Sequence, residues 1–226
     1  MSINCILFDL DGTLLDTSYD FAYALNQTCQ HFNQPSIPYA TLRQTVSQGG
    51  LAMTQLAFPQ FSGEALEEKR QFFLTCYYDN IDQHTRVFAG LETGLAELAA
   101  TDFSWGIVTN KPGWLTERLL SKIPFASPPK SIISGDTLEV RKPHPQPLWL
   151  AAEQCGVESK NCLYIGDHPR DIEAGKNANM KTAAALYGYI PTASSSDDWQ
   201  ADYVFSTPIE ISHFIKDLVC LHKKSI

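Results

Sequence analysis

Outside one stretch near its start, the chain alternates between short apolar runs and segments whose apolar residues recur at helical spacing. Residues 3–8 (Ile-Asn-Cys-Ile-Leu-Phe) form the first run, which ends at Asp9 and Gly12 and predicts a buried strand entering a tight turn. Runs at 103–109, 131–134, 162–166, 182–187 and 203–205 repeat the pattern, each bounded by Gly, Pro, Asp or Asn. Between them, Leu91, Leu95 and Leu98, then Leu115, Leu119 and Leu120, then Leu148, Ala151, Ala152 and Cys155 fall on helix faces. This alternation predicts an α/β fold, a doubly wound parallel sheet with helices on both faces. Such a sheet takes its ligands at the carboxyl ends of its strands, near a topological switch point.

Residues 17–87 break the alternation. They carry helical stretches without a convincing strand run, punctuated by Pro35, Pro38, Gly49, Gly50, Pro59 and Gly63. The expected division is therefore an α/β core over 1–16 and 88–226 and an inserted all-α domain over 17–87. The polar stretch 192–198 reads as a connector, and no internal repeat is evident.

Charge narrows the possible partners. The 25 acidic and 17 basic side chains give a net charge of -8, so no general positive field exists for nucleic acid or anionic lipid. Chemistry on an anionic substrate must then rest on local positive charge: a metal ion, a lysine or backbone N–H groups. The six cysteines form no C-x-x-C pair and are expected to be reduced thiols. No run approaches the roughly 20 apolar residues of a membrane span, and the first apolar run is too short for a signal-peptide core. A cytoplasmic location without membrane partners is the expectation; the pattern is equally compatible with a monomer and a homodimer.

Candidate chemistry sits where the predicted strands end. In Asp9-Leu10-Asp11-Gly12-Thr13, the strand period of two lets both carboxylates project to one side. Asp9 is suited to attack phosphorus, and Asp11 to give a proton to the leaving oxygen and later take one from water. A turn start after a buried strand is the plainer alternative. At the end of the 103–109 run, the Thr109 hydroxyl and the Asn110 N–H are placed to hold a phosphoryl oxygen, and a simple strand-to-turn junction explains them equally well. Lys142, within Arg141-Lys142-Pro143-His144-Pro145, is by itself only a charge before a helix. Asp167 and Asp171 follow an apolar run where a helix begins, a position that also favours acidic caps. His144 and His168 lack ligand spacing for zinc and are expected to be local structure, and the tryptophans, Tyr187 and Tyr189 to be core or rim.

Residues 6–17, ILFDLDGTLLDT, resemble the opening of haloacid dehalogenase-type phosphatases, and Thr109-Asn110, the G-D-x-x-x-x-x-K-P string ending at Lys142-Pro143, and G-D-x-x-x-D-I at 166–172 resemble that superfamily's later motifs in the same order. The resemblance implies a phosphorylated Asp9, Asp11 as acid/base, Thr109 and Asn110 as phosphate-binding groups, and Lys142 as the cation neutralising nucleophile and phosphoryl group. It also implies a Mg2+ site formed by Asp9, the carbonyl of Asp11 and Asp167, with Asp171 anchoring it through water. Residues 17–87 resemble the superfamily's mobile cap, hinged near Asp16-Thr17 and 87–90, although Phe88-Ala89-Gly90 stands where a proline often precedes the glycine. The implied substrate is a small phosphorylated metabolite. Residues 135–157 and 184–202 resemble phosphoglycolate phosphatases, and ALYGYI with Trp199, Ala201 and Asp202 is also similar to N-acetylmuramic acid 6-phosphate phosphatases. Gln48, Gly49, Gly50 and Arg43 are the expected substrate contacts from the cap. Asp11 argues against a haloalkanoate dehalogenase; a phosphosugar mutase and a non-catalytic binding protein remain the alternatives.

Overall fold

The structure is a computed structural model that describes residues 3–101, 103–190 and 196–223. Its centre is strand β1 (Cys5–Phe8), buried along its whole length. It pairs in parallel with β4 (Ser104–Val108) on one side and β6 (Cys162–Gly166) on the other. With β5 (Ser131–Ile133), β7 (Lys181–Ala185) and β8 (Tyr203–Phe205), these strands form a parallel sheet in the order β5-β4-β1-β6-β7-β8. The chain steps one way from β1 to β4 and the other way at β6, so the switch point lies at β1.

The period of two along β1 divides the core. Ile6 and Phe8 face one side with Trp105, Ile107, Leu163 and Ile165, and are covered by α5 (Glu92–Ala99) and α9 (Pro208–Lys223) through Leu91, Leu95, Leu98, Ile211 and Ile215. Cys5 and Leu7 face the other with Tyr164, under α7 (Gln146–Cys155) and α8 (Pro169–Asn177). A sheet covered on both faces explains why its strands read as continuous apolar runs. Each fully buried Leu, Ile or Phe contributes roughly 1.5–3 kcal/mol. The helix α6 (Gly113–Leu120) follows β4.

Helices α1 (Ser18–His31), α2 (Tyr39–Arg43), α3 (Gly50–Ala57) and α4 (Gly63–Asp79) form the insert. Phe21 of α1 stacks on Tyr77 of α4 at 3.9 Å between ring centroids, giving the helical unit its own apolar contact. The chain enters through β2 (Leu15–Asp16) and returns through β3 (Arg86–Val87), which pair antiparallel. The sequence carried no sign of β3, because two residues are too few to display a period. Asp20, buried in α1, fixes the return: its carboxylate accepts from the N–H groups of His84 (2.9 Å) and Thr85 (2.9 Å) and from the Thr85 hydroxyl (2.7 Å).

The cysteines are all unpaired, and Cys5, Cys155 and Cys162 lie together in the second core layer. Among the described residues, no helix is long and apolar enough to cross a membrane. Of the connector expected at 192–198, residues 192–195 lie outside the described residues, and Ser196–Trp199 forms a 3-10 turn.

Candidate active site

The carboxyl ends of β1, β4 and β6 converge on one cluster of charges. Asp9 extends the β1 ladder by one hydrogen bond, its N–H donating to the Ile165 carbonyl at 2.8 Å, and this fixes where its carboxylate points. That carboxylate accepts from the Leu10 N–H at 2.8 Å and pairs with the Lys142 ammonium at 2.9 Å. The chain then turns at Gly12, whose φ of +84° suits glycine, and a Cβ there would overlap the Asp167 carboxylate and the Tyr189 ring. The tight turn is thus also what lets the β1 and β6 ends approach.

Asp167, fully buried beyond β6, accepts through Oδ2 from the Tyr189 N–H (2.7 Å) and the Ser47 hydroxyl (2.9 Å). Its Oδ1 is buried and has no hydrogen-bond partner among the described residues. Asp171 lies in the first turn of α8 and completes a capping box: His168 Nδ1 accepts from the Arg170 N–H (3.3 Å), and Asp171 Oδ2 accepts from the His168 N–H (3.1 Å). Its other oxygen, Oδ1, pairs with Lys142 at 2.8 Å. Capping and site chemistry are therefore not alternatives at Asp171, since each uses one oxygen.

Lys142 is buried between these acids, while Arg141 beside it is exposed. Besides Asp9 and Asp171, its ammonium reaches the Val108 carbonyl (3.0 Å) and the Tyr164 hydroxyl (2.7 Å). Asn110 holds the backbone of this lysine from both sides, its amide nitrogen donating to the Lys142 carbonyl (3.0 Å) and its oxygen accepting from the Lys142 N–H (3.1 Å). Thr109 is buried at the end of β4, with its N–H donating to Ile133 and its hydroxyl oxygen accepting from the Lys111 N–H at 3.2 Å. Asp11 pairs with a different lysine, Lys111, at 3.0 Å.

Oxygen atoms of Asp9, Asp167 and Asp171 lie within 4.8 Å of one another. Burial, then the charges of Asp9 and Asp171, push the Asp167 carboxyl up to about 7. Burial and the Arg170 guanidinium push His168 down to about 4, which keeps its ring neutral and able to accept in the cap. Burial holds the Tyr164 hydroxyl well above its usual range, helped by Asp171 and Asp9, so it stays a donor. Repelling carboxylates around an unpartnered buried oxygen, with oxygen donors alone, fit a hard divalent cation such as Mg2+.

Several residues at the site carried no assigned role in the sequence. Tyr164 was detectable in principle, as a hydroxyl on an otherwise apolar strand three residues before Asp167. Lys111 follows directly on the Thr109-Asn110 pair, but its partners come from distant segments. Ser47 had no signal at all; it lies on the insert, and its carbonyl accepts from Arg170. Arg43, expected at the substrate, instead donates to the carbonyls of Gly188 and Tyr187 (2.9 Å each) and lies over the Tyr189 ring. Both ends of its guanidinium are engaged by the core, and its reach was not visible from local sequence. Tyr189 is buried, and its hydroxyl bonds Asp16 (2.8 Å) and the Thr17 N–H (2.7 Å) at the entry to the insert. Through its N–H on Asp167 and this hydroxyl, Tyr189 joins the acidic cluster to the entry of the insert.

The chain is similar over most of its length to known phosphatases. A phosphoglycolate phosphatase of Xanthomonas campestris pv. campestris is 39% identical over 206 residues, covering 91% of this chain and 93% of its own. An N-acetylmuramic acid 6-phosphate phosphatase of Pseudomonas putida is 34% identical over 223 residues, covering 97% and 99%. The crystal structure of a predicted phosphoglycolate phosphatase from Haemophilus somnus shares the fold with a TM-score of 0.85 at 23% identity, covering 95% of this chain and 98% of its own. The family profile of haloacid dehalogenase-like hydrolases matches residues 6–185, and the chain belongs to that family.

Proposed function

We propose that the protein is a Mg2+-dependent phosphatase that hydrolyses a small phosphorylated metabolite through a phosphorylated Asp9. The observation that carries this reading is the buried Lys142 joining Asp9 to Asp171 beside the unpartnered oxygen of Asp167. A nucleophilic carboxylate next to a fixed ammonium and a buried carboxylate oxygen free of hydrogen bonds suits the transfer of a dianionic group.

In the first step an Asp9 oxygen attacks phosphorus, the bond to the ester oxygen breaks, and Asp11 gives that oxygen its proton. In the second, Asp11 takes a proton from water as the water oxygen attacks phosphorus, releasing phosphate and restoring Asp9. Lys142 offsets charge on Asp9 and the phosphoryl group throughout, while the Thr109 hydroxyl and the Asn110 N–H orient the phosphoryl oxygens. Asn110 acts a second time by holding the Lys142 backbone. Asp9, Asp167 and the Asp11 carbonyl would hold Mg2+, with Asp171 bound to Lys142 and reaching the ion through water. Bound there, Mg2+ supplies positive charge against the developing charge of the phosphoryl group.

Residues 17–87 act as a cap that shields the reaction from bulk water, with the β2–β3 ribbon as its hinge. The names of the relatives favour phosphoglycolate or N-acetylmuramic acid 6-phosphate as substrate. The test is phosphate release with Mg2+ from both compounds and from common sugar phosphates, with Asp9→Asn alongside. Release by the parent alone supports the reading, and the highest kcat/KM identifies the substrate. Equal release by Asp9→Asn removes Asp9 as nucleophile.

A further inference from the structure

The mechanism above leaves one buried cation at the site unused. The Lys111 side chain is 3% exposed, and its ammonium lies 3.0 and 3.3 Å from the two Asp11 oxygens. Its third neighbour comes from the insert: the Tyr77 hydroxyl, at 2.9 Å. The same ammonium stands 4.5 Å from the ring centroids of Phe21 and of Tyr77, which stack on each other. The backbone of Lys111 is fixed by the core, since its N–H donates to the Thr109 hydroxyl oxygen and its carbonyl accepts from the Gly135 N–H at 2.8 Å. The stem therefore starts on the core and its charged end is caged by the insert.

The two buried lysines divide the acids between them. Lys142 binds Asp9 and Asp171 and has core partners, Val108 and Tyr164. Lys111 binds Asp11 and has insert partners. A buried ammonium costs more than an apolar side chain of similar length unless its charge is used, and the charge it meets is the carboxylate on both of whose oxygens it converges.

We infer that Lys111 is a positioning residue: it fixes the Asp11 side chain where its protonated form can hand a proton to the leaving oxygen, and Tyr77 and Phe21 of the insert set where Lys111 stands. The inference rests on Asp11 being the general acid. Its step is the one already written, with the Asp9–phosphorus bond forming, the ester bond breaking and the Asp11 proton passing to the released oxygen.

A general acid matters most when the leaving oxygen is a poor leaving group, so ester chemistry separates positioning from mere support of the fold. The experiment compares p-nitrophenyl phosphate with phosphoglycolate as aryl and alkyl esters, measuring kcat and KM with Mg2+ for the parent, Lys111→Met, Tyr77→Phe and Asp11→Asn. Lys111→Met is expected to lower kcat on the alkyl ester about 10-fold or more beyond its effect on the aryl ester, with KM moving less. Tyr77→Phe, which keeps the ring, should show the same selectivity at smaller size. Equal losses on both esters, or parental rates, overturn the inference. Where a melt shows Lys111→Met to be unfolded, Tyr77→Phe decides by the same criterion. Asp11→Asn separates the two layers: selective loss there with none in the other variants removes only the role of Lys111, whereas unselective loss in Asp11→Asn removes the acid itself.

Discussion

The strand ends and the inner surface of the helical insert meet at the same charges but are built differently. On the strand side, Asp9, Thr109 and Asp167 each follow directly on a strand, and Lys142 satisfies two acids and two neutral acceptors at once. The insert reaches the site from separate segments, with the Ser47 hydroxyl at Asp167, the Arg43 guanidinium at the Gly188 and Tyr187 carbonyls, and Tyr77 and Phe21 at Lys111. Groups that must hold their geometry stand on a rigid sheet. The insert touches them through side-chain hydrogen bonds that a movement of the helical unit would break.

The contrast can be broken most severely at Lys142. Lys142→Met leaves Asp9 and Asp171 facing each other without their cation and should cost about 3–5 kcal/mol of stability. Turnover should fall by about 10²–10³-fold. Urea melts and phosphate release check both, and a stable, active variant would mean that the strand side is not organised by this charge. Within the insert, Asp20→Ala strands the His84 and Thr85 donors and should cost roughly 2–4 kcal/mol while sparing kcat far more than Lys142→Met does. A loss of kcat as large as that of Lys142→Met, without loss of stability, would contradict its anchoring role.

Acidity sharpens the comparison further. In the metal-free protein Asp167 titrates near 7, against roughly 3.9 in an unfolded chain. Between those values the folded chain binds a proton that the unfolded chain does not, so this group makes the metal-free protein more stable as pH falls from 8 toward 5. A divalent ion needs the ionised carboxylate, so the rise in Tm on adding Mg2+ should shrink over the same range. Thermal melts with and without Mg2+ give the answer, and a metal-induced shift constant from pH 8 to 5 would count against Asp167 as a ligand. The smallest effect is expected at Ser47→Ala, about 1 kcal/mol, with KM rising more than kcat falls in steady-state assays.

What could be foreseen follows the same division. The sheet was legible because burial on both faces forces continuous apolar runs; the 162–166 and 203–205 runs coincide with Cys162–Gly166 and Tyr203–Phe205. Asp9, Asp11, Asp167 and Asp171 could be singled out as candidates because strand ends and one helix start confine them to short strings, whereas Lys142 was singled out only by its resemblance to a family motif. Ser47, Tyr77 and Arg43 were not, because their roles depend on how one unit lies against the other and no local period records that. Tyr164 lay between these cases. Its strand was plain, but a tyrosine in a buried strand reads as packing until a lysine 22 positions away is found at its hydroxyl.

The β2–β3 ribbon has a consequence for how such a chain can change. Leu15 faces Val87 and Asp16 faces Arg86 across an antiparallel pair, so the ends of the insert stand only about 5 Å apart. To the sheet, everything from 17 to 85 is one long hairpin loop. Lengthening such a loop is cheap, since each doubling costs only about 0.6 kcal/mol in closure entropy. The helices can therefore be extended, shortened or exchanged without disturbing the register of β1. Any replacement must still bring hydroxyls to Asp167 and Lys111, as Ser47 and Tyr77 do here.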